Sequence, residues 1–155
     1  MTTTDATRWG DELEPGTRFT TPRRTLIDAD IAWFAGWSWD ANPVHTDAVD
    51  AAAGQFGAPI AHGVMGLSVA MGLISRMGTF EGSSVALLGV EEWRFTAPLR
   101  SGDTVHVELE ILGARLSSSS EGWVVDRKAE LIRHDGVVAQ SGRIPLLMRP
   151  RPSTV

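Results

Sequence analysis

The sequence predicts an α+β fold in which one buried helix lies against a curved antiparallel sheet. Residues 62–77 are apolar around the whole helical circumference, which marks a buried helix. Residues 85–148 break into four strand-like runs separated by turn signals. The chain changes character near residue 80, from Ala, Gly and Met in helical patterns to alternation, and no internal repeat interrupts it. At 155 residues it has room for one domain with one core.

Met1 to Glu14 is polar and partly acidic. It lacks the basic start and apolar core of a signal peptide. Residues 1–15 are therefore expected to be a flexible extension, 16–149 the folded domain and 150–155 a tail. Gly16 to Thr25 reads as extended chain anchored by Phe19. Thr25-x-x-Asp28 resembles a capping box with Asp in place of Glu, and Asp28 is an alternative N-cap. Ile31, Phe34 and Ala35 follow at helical spacing, with Trp33 and Trp37 on the same helix. Asn42-Pro43 should stop it, because proline biases the preceding residue away from helix. Thr46 to Ala53 reads as a short second helix capped by Thr46 or Asp47.

The apolar helix of residues 62–77 carries Val64, Met65, Leu67, Val69, Ala70, Met71, Leu73, Ile74 and Met77. It spans roughly 24 Å, which is short for a bilayer crossing. Gly63, Gly66 and Gly72 weaken it but let backbone or ligand approach closely. Val85 to Thr96 reads as the first strand, with Trp93 and Phe95 on one face. Val105, Val107, Leu109 and Ile111 alternate with polar residues in the second. Trp123, Val125, Ala129 and Leu131 do the same in the third. Val137 to Met148 is weaker, and Pro145 marks an edge or a bulge. Ser101-Gly102-Asp103 and Asp135-Gly136 are turn signals, and Ser117 to Gly122 reads as a loop. This layout fits a hot-dog fold, an antiparallel sheet wrapped around a central buried helix. A small sheet with an edge to protect favours a homodimer or higher homo-oligomer.

Composition removes several function classes. Hydrophobic residues make up 43% and charged residues 21%, as in globular domains, so disorder, collagen repeats and coiled coils are not expected. There is no cysteine, hence no disulfide, thiolate nucleophile or cysteine-bound zinc. There is no tyrosine to act as a phenolic acid. A net charge of -5 with no basic stripe argues against nucleic acid. No apolar run reaches membrane-span length, so a cytoplasmic location is expected. Glycine-rich nucleotide loops and a Gly-x-Ser-x-Gly elbow are absent from the sequence.

The candidate chemistry lies in Trp39-Asp40-Ala41-Asn42-Pro43-Val44-His45-Thr46-Asp47. A carboxylate and an imidazole five residues apart would face different ways on a continuous helix, but a turn at Asn42-Pro43 folds both inward. Such a pair can take a proton from water and deliver one to substrate. The bland alternative is that Asp40 and Asn42 are turn formers and His45 a surface residue. A second signal is Ile60-Ala61-His62-Gly63 at the start of the apolar helix. The Gly63 N–H has no helical partner and can stabilise a developing enolate oxygen. Against this, Gly63 can simply relieve crowding, and His62 reads as a capping or buried hydrogen-bonded side chain. A metal site from Asp40, His45, Asp47 and His62 lacks a recognised ligand spacing, so no metal is expected.

The run Phe34-Ala35-Gly36-Trp37-Ser38-Trp39-Asp40-Ala41-Asn42-Pro43-Val44-His45 resembles the Gly-Asp-x-Asn-Pro-hydrophobic-His signature of MaoC-like dehydratases, the (R)-specific enoyl-CoA hydratase family. Phe56 to Leu67 resembles the next block of that family, with Gly63 eighteen residues after His45. Leu88-Gly89-Val90, Arg94-Phe95, Pro98 and Gly102-Asp103 match its C-terminal pattern. The resemblance covers about residues 16 to 149. It implies a hot-dog dimer or larger assembly that acts on a 2-enoyl thioester of coenzyme A or acyl carrier protein, with no separate cofactor. It implies that Asp40 and His45 activate water, that Gly63 N–H binds the thioester oxygen, and that Asn42 braces the loop. Trp39 stands where the family usually has glycine and is expected to shape the acyl pocket, beside His62 on the substrate side. The rival readings are a hot-dog thioesterase and a non-catalytic acyl-binding subunit.

Overall fold

The computed structural model describes residues 7–152. After a single 3-10 turn at Gly10–Glu12, four α-helices and eight strands among the described residues follow one another as β1 (Arg18–Thr20), β2 (Arg24–Thr25), α1 (Asp28–Ser38), α2 (Pro43–Thr46), α3 (Ala48–Ala53), α4 (Gly63–Arg76), β3 (Ser84–Leu87), β4 (Glu91–Phe95), β5 (Thr104–Leu116), β6 (Trp123–Arg133), β7 (Val138–Arg143) and β8 (Leu146–Met148). All strand pairings are antiparallel. The long hairpin β5–β6 forms the middle of one eight-stranded sheet. β1 and β2 flank β5, β7 and β8 share the other side of β6, and β4 and β3 pair in turn with β7 and β8. Together with α4 packed on this sheet, that is the hot-dog arrangement.

The core follows the alternation of the strands. Val105, Val107, Leu109 and Ile111 on β5 meet Val125, Ala129 and Leu131 on β6, all buried, beneath Met65, Ala70, Leu73 and Ile74 of α4. The same alternation turns Arg127 inward, where it is 1% exposed. The sequence reading passed over that position.

Several expectations are corrected. The single strand expected over residues 85–96 is two, β3 and β4, broken at residues 88–90. The break faces the gap between β7 and β8, where Pro145 cannot donate to a ladder and its carbonyl instead accepts from Leu88 N–H at 2.9 Å. The segment expected to be a flexible extension is docked where it is described: Leu13 is buried, and Gly10 donates to the Arg149 carbonyl at 2.9 Å and packs under Trp123. Arg151 donates its backbone N–H to the Asp11 carboxylate and pairs its guanidinium with Glu12, which ties the two segments together. Residues 1–6 and 153–155 lie outside the described residues. α1 is capped by Asp30, whose carboxylate accepts from Ile27 N–H at 3.0 Å, rather than by Thr25 or Asp28. α4 is not enclosed all round: Val64 is 54% exposed and Ser68, Gly72 and Arg76 also face out, because the sheet of one chain covers one side only. Among the described residues no helix is long and apolar enough to cross a membrane.

Candidate active site

The site begins where α1 ends. Trp39 is its C-cap and adopts φ +65°, ψ +9°, the left-handed conformation that reverses a chain after a helix. Glycine meets that need without strain, a physical reason for a glycine at this place in the signature. Trp39 is itself 90% exposed. Asn42 then caps α2, its side-chain oxygen accepting from Val44 N–H at 3.2 Å, and Pro43 takes the first helical position. Asn42-Pro43 therefore starts a helix as well as following one. Asp47 caps α3 through Val49 and Asp50 N–H.

This turn folds Asp40 and His45 to the same side. Ligand-type atoms of Asp40, His45 and His62 all lie within 4.8 Å of one another. Each imidazole is fixed by a backbone carbonyl. His45 Nδ1 is 2.7 Å from the Ile60 carbonyl, which can only accept, so the ring donates through Nδ1 and its Nε2 is not used by that contact. His62 is 2% exposed and its Nε2 donates to the Asp40 carbonyl at 2.8 Å. The two rings stack with centroids 3.8 Å apart and 27° between planes. Phe34 closes the far side of His62 at 4.9 Å.

A cleft of about 310 Å³ runs beside His45 to the first turn of α4, with Phe56, Ile60, Gly63, Phe95 and Gln140 among its walls. Gly63 opens the helix, and its N–H has no protein acceptor among the described residues. A Cβ there would sit 3.0 Å from the Phe95 ring. Gln140 donates to the Gly63 carbonyl at 3.0 Å and accepts from Trp93 Nε1 at 3.1 Å, so it fixes the peptide after the free amide. Sequence reasoning missed Gln140 and Phe95. The signal for Gln140 was a polar residue on the inward face of a weak strand. Arg100 holds the Phe56 and Ala58 carbonyls, which steadies the loop between α3 and α4.

Of the expected residues, Asp40, His45 and His62 converge, Gly63 faces His45 across the cleft, and Asn42 supports the turn. Trp39 is not among the walls of the cleft. His62 stands behind the pair, consistent with the buried hydrogen-bonded role. Asp40, His45 and His62 bring ligand-type atoms close enough to share a metal ion, with one ring nitrogen of each histidine already hydrogen-bonded to a backbone carbonyl.

Comparison with known proteins decides the family. Residues 11–130 match the model of the MaoC like domain. The chain belongs to the MaoC-like family. The MaoC-like domain is 39% identical over 102 residues to Protein MaoC of Klebsiella aerogenes, covering 66% of this chain and 30% of that protein. It is 34% identical over 90 residues to 3-hydroxyacyl-thioester dehydratase Z of Mycobacterium tuberculosis, covering 57% and 60%. It is 37% identical over 87 residues to the (R)-specific enoyl-CoA hydratase of Aeromonas caviae, covering 56% and 63%. The match thus spans under two thirds of each of these relatives. Among solved structures, the MaoC-like dehydratase from Rhodospirillum rubrum superposes with a TM-score of 0.85 at 27% identity, covering 94% of this chain and 99% of that one. The A. caviae (R)-hydratase superposes at 0.72 and 28% identity, covering 87% and 96%.

Proposed function

We propose that the protein catalyses reversible hydration of a 2-enoyl thioester to a 3-hydroxyacyl thioester. The observation that carries this reading is the shared cleft: the imidazole of His45 and the unpaired N–H of Gly63 both line it, and Asp40 lies beside His45. The thioester makes C3 of the conjugated acyl group electrophilic. His45 Nε2 takes a proton from water while Asp40 accepts water's other hydrogen. The water oxygen bonds to C3, the C2–C3 π pair shifts to C2, and charge gathers on the thioester oxygen. Gly63 N–H meets that oxygen with the positive end of α4 behind it. The proton taken up by His45 Nε2 is then passed to C2, which regenerates the base, and the neutral thioester leaves with one water added. Dehydration runs the same steps backwards.

The substrate brings its own coenzyme A or carrier-protein arm, and the reaction calls for no other cofactor. A second copy of the chain is the proposed partner. Val85, Leu87, Leu88, Val90 and Phe95 are exposed along β3, β4 and the break between them, where the sheet ends. The functional test is loss of enone absorbance from crotonyl-CoA, run beside a free-thiol assay. Absorbance loss without thiol supports hydration, thiol release would mean a thioesterase, and no change across enoyl-CoA and enoyl-carrier substrates would mean an acyl-binding subunit.

A further inference from the structure

A second cleft, of about 360 Å³, lies against the later turns of α4 and contains a charge that the hydratase chemistry does not use. Its walls include Met71, Ile74, Phe80 and Leu146, with Ser84 and Arg127. Arg127 is 1% exposed. Its Nε donates to the Ile144 carbonyl at 3.1 Å, its guanidinium carbon is 5.4 Å from the centre of the Phe80 ring, and Nη2 is buried with no hydrogen-bond partner. No carboxylate forms an ion pair with it among the described residues. Glu81, the one carboxylate on the cleft wall, is exposed. Desolvation lowers the Arg127 pKa to about 10, which leaves it cationic at neutral pH.

A buried guanidinium with an unused donor in a hollow of apolar walls is an incomplete ion pair. The matching ligand supplies one negative charge, planar acceptor oxygens and an aliphatic tail. A singly charged carboxylate costs less to desolvate than a phosphate dianion. We propose that this cleft is a carboxylate subsite, in which Arg127 holds the acid group while Met71, Ile74, Phe80 and Leu146 cover the tail.

The carboxylate can belong to a free aliphatic acid or to the far end of an acyl thioester. The second source rests on the hydratase reading. Ile74 stands eleven residues beyond Gly63 on α4, about 16 Å along the helix, so an extended acyl chain reaching both clefts needs on the order of fourteen carbons.

Two arms separate the sources. In the first, butyrate and its neutral isostere butyramide are titrated calorimetrically into the full chain and into Arg127→Met. Saturable butyrate binding, at least about tenfold weaker in the variant and absent for butyramide, supports the subsite for a free acid. If Arg127→Met does not fold, the Arg127 Nε–H resonance of the wild type reports instead, and it should shift saturably with butyrate and not with butyramide. In the second arm, 2-tetradecenedioyl-CoA and 2-tetradecenoyl-CoA compete for turnover. A preference for the diacid that Arg127→Met abolishes supports the acyl source. The proposal is overturned if butyrate neither binds saturably nor shifts that resonance and any diacid preference survives Arg127→Met. The first arm needs no catalysis, so failure of the hydratase reading cannot be mistaken for failure of this one.

Discussion

His45 and His62 stack ring on ring at 3.8 Å, and each gives its one N–H to a carbonyl of the other's segment: His45 to Ile60, His62 to Asp40. The turn carrying Asp40 and His45 is thereby tied to the strand-like entry into α4 by two crossed hydrogen bonds. Val44 and Ile60 add a third, backbone to backbone, at 3.1 Å. This lacing sets His45 opposite Gly63. It also gives the buried His62 a structural place, as the residue that holds the turn against α4.

His62→Ala should therefore act on geometry. Asp40 loses the donor that holds its carbonyl, and His45 loses its stacking partner. Turnover should fall about 10- to 100-fold with a much smaller change in KM. Steady-state kinetics would read this split. A rise in KM at unchanged kcat would place His62 on the substrate instead.

Trp39→Gly should stabilise the protein by about 1 kcal/mol, because a side chain held at φ +65° carries strain that glycine avoids. Thermal or urea unfolding measures it. With Trp39 outside the cleft, the chain-length profile of activity should stay unchanged, and a broadened profile would restore the expected pocket role.

Gly66→Ala should cost about 2 kcal/mol and lower activity too. A Cβ there would come within 2.1 Å of Gln140 Nε2, the donor to the Gly63 carbonyl. Gln140 would have to give up that bond to move aside. Urea unfolding and kinetics on the same sample test both effects.

Arg127→Met should leave stability equal or raise it by about 1–3 kcal/mol near neutral pH, since an apolar side chain of similar reach removes a buried charge. The sign follows from the lowered pKa. Above about 10, and up to the ordinary guanidinium range, the folded state binds fewer protons than the unfolded state, so wild-type stability gains as pH rises through that window. The advantage of the variant should be flat below pH 10 and shrink above it. Chemical denaturation across pH 7–11 checks the trend.

Much of this was legible before any coordinates. The alternation of Val105 to Ile111 and the apolar run of residues 62–77 placed the sheet and the central helix, and the spacing of Asp40, His45 and Gly63 placed the candidate site. What escaped depended on partners distant in sequence. The split of β3 from β4 follows from Pro145 some fifty residues later. Docking of residues 8–14 follows from Trp123 and Arg149, which no local pattern announces. Gln140 and Arg127 are polar residues on inward faces, where alternation predicts a side chain's direction but says nothing of what it meets.

The most direct measurement is single-turnover hydration of crotonyl-CoA by the wild type, Asp40→Asn and His45→Ala, with circular dichroism on each to verify the fold. The account predicts enone loss without thiol release in the wild type, and rates lower by at least about a hundredfold in both folded variants. Folded variants that hydrate at near wild-type rates would contradict it, because water would then be activated somewhere other than beside Gly63.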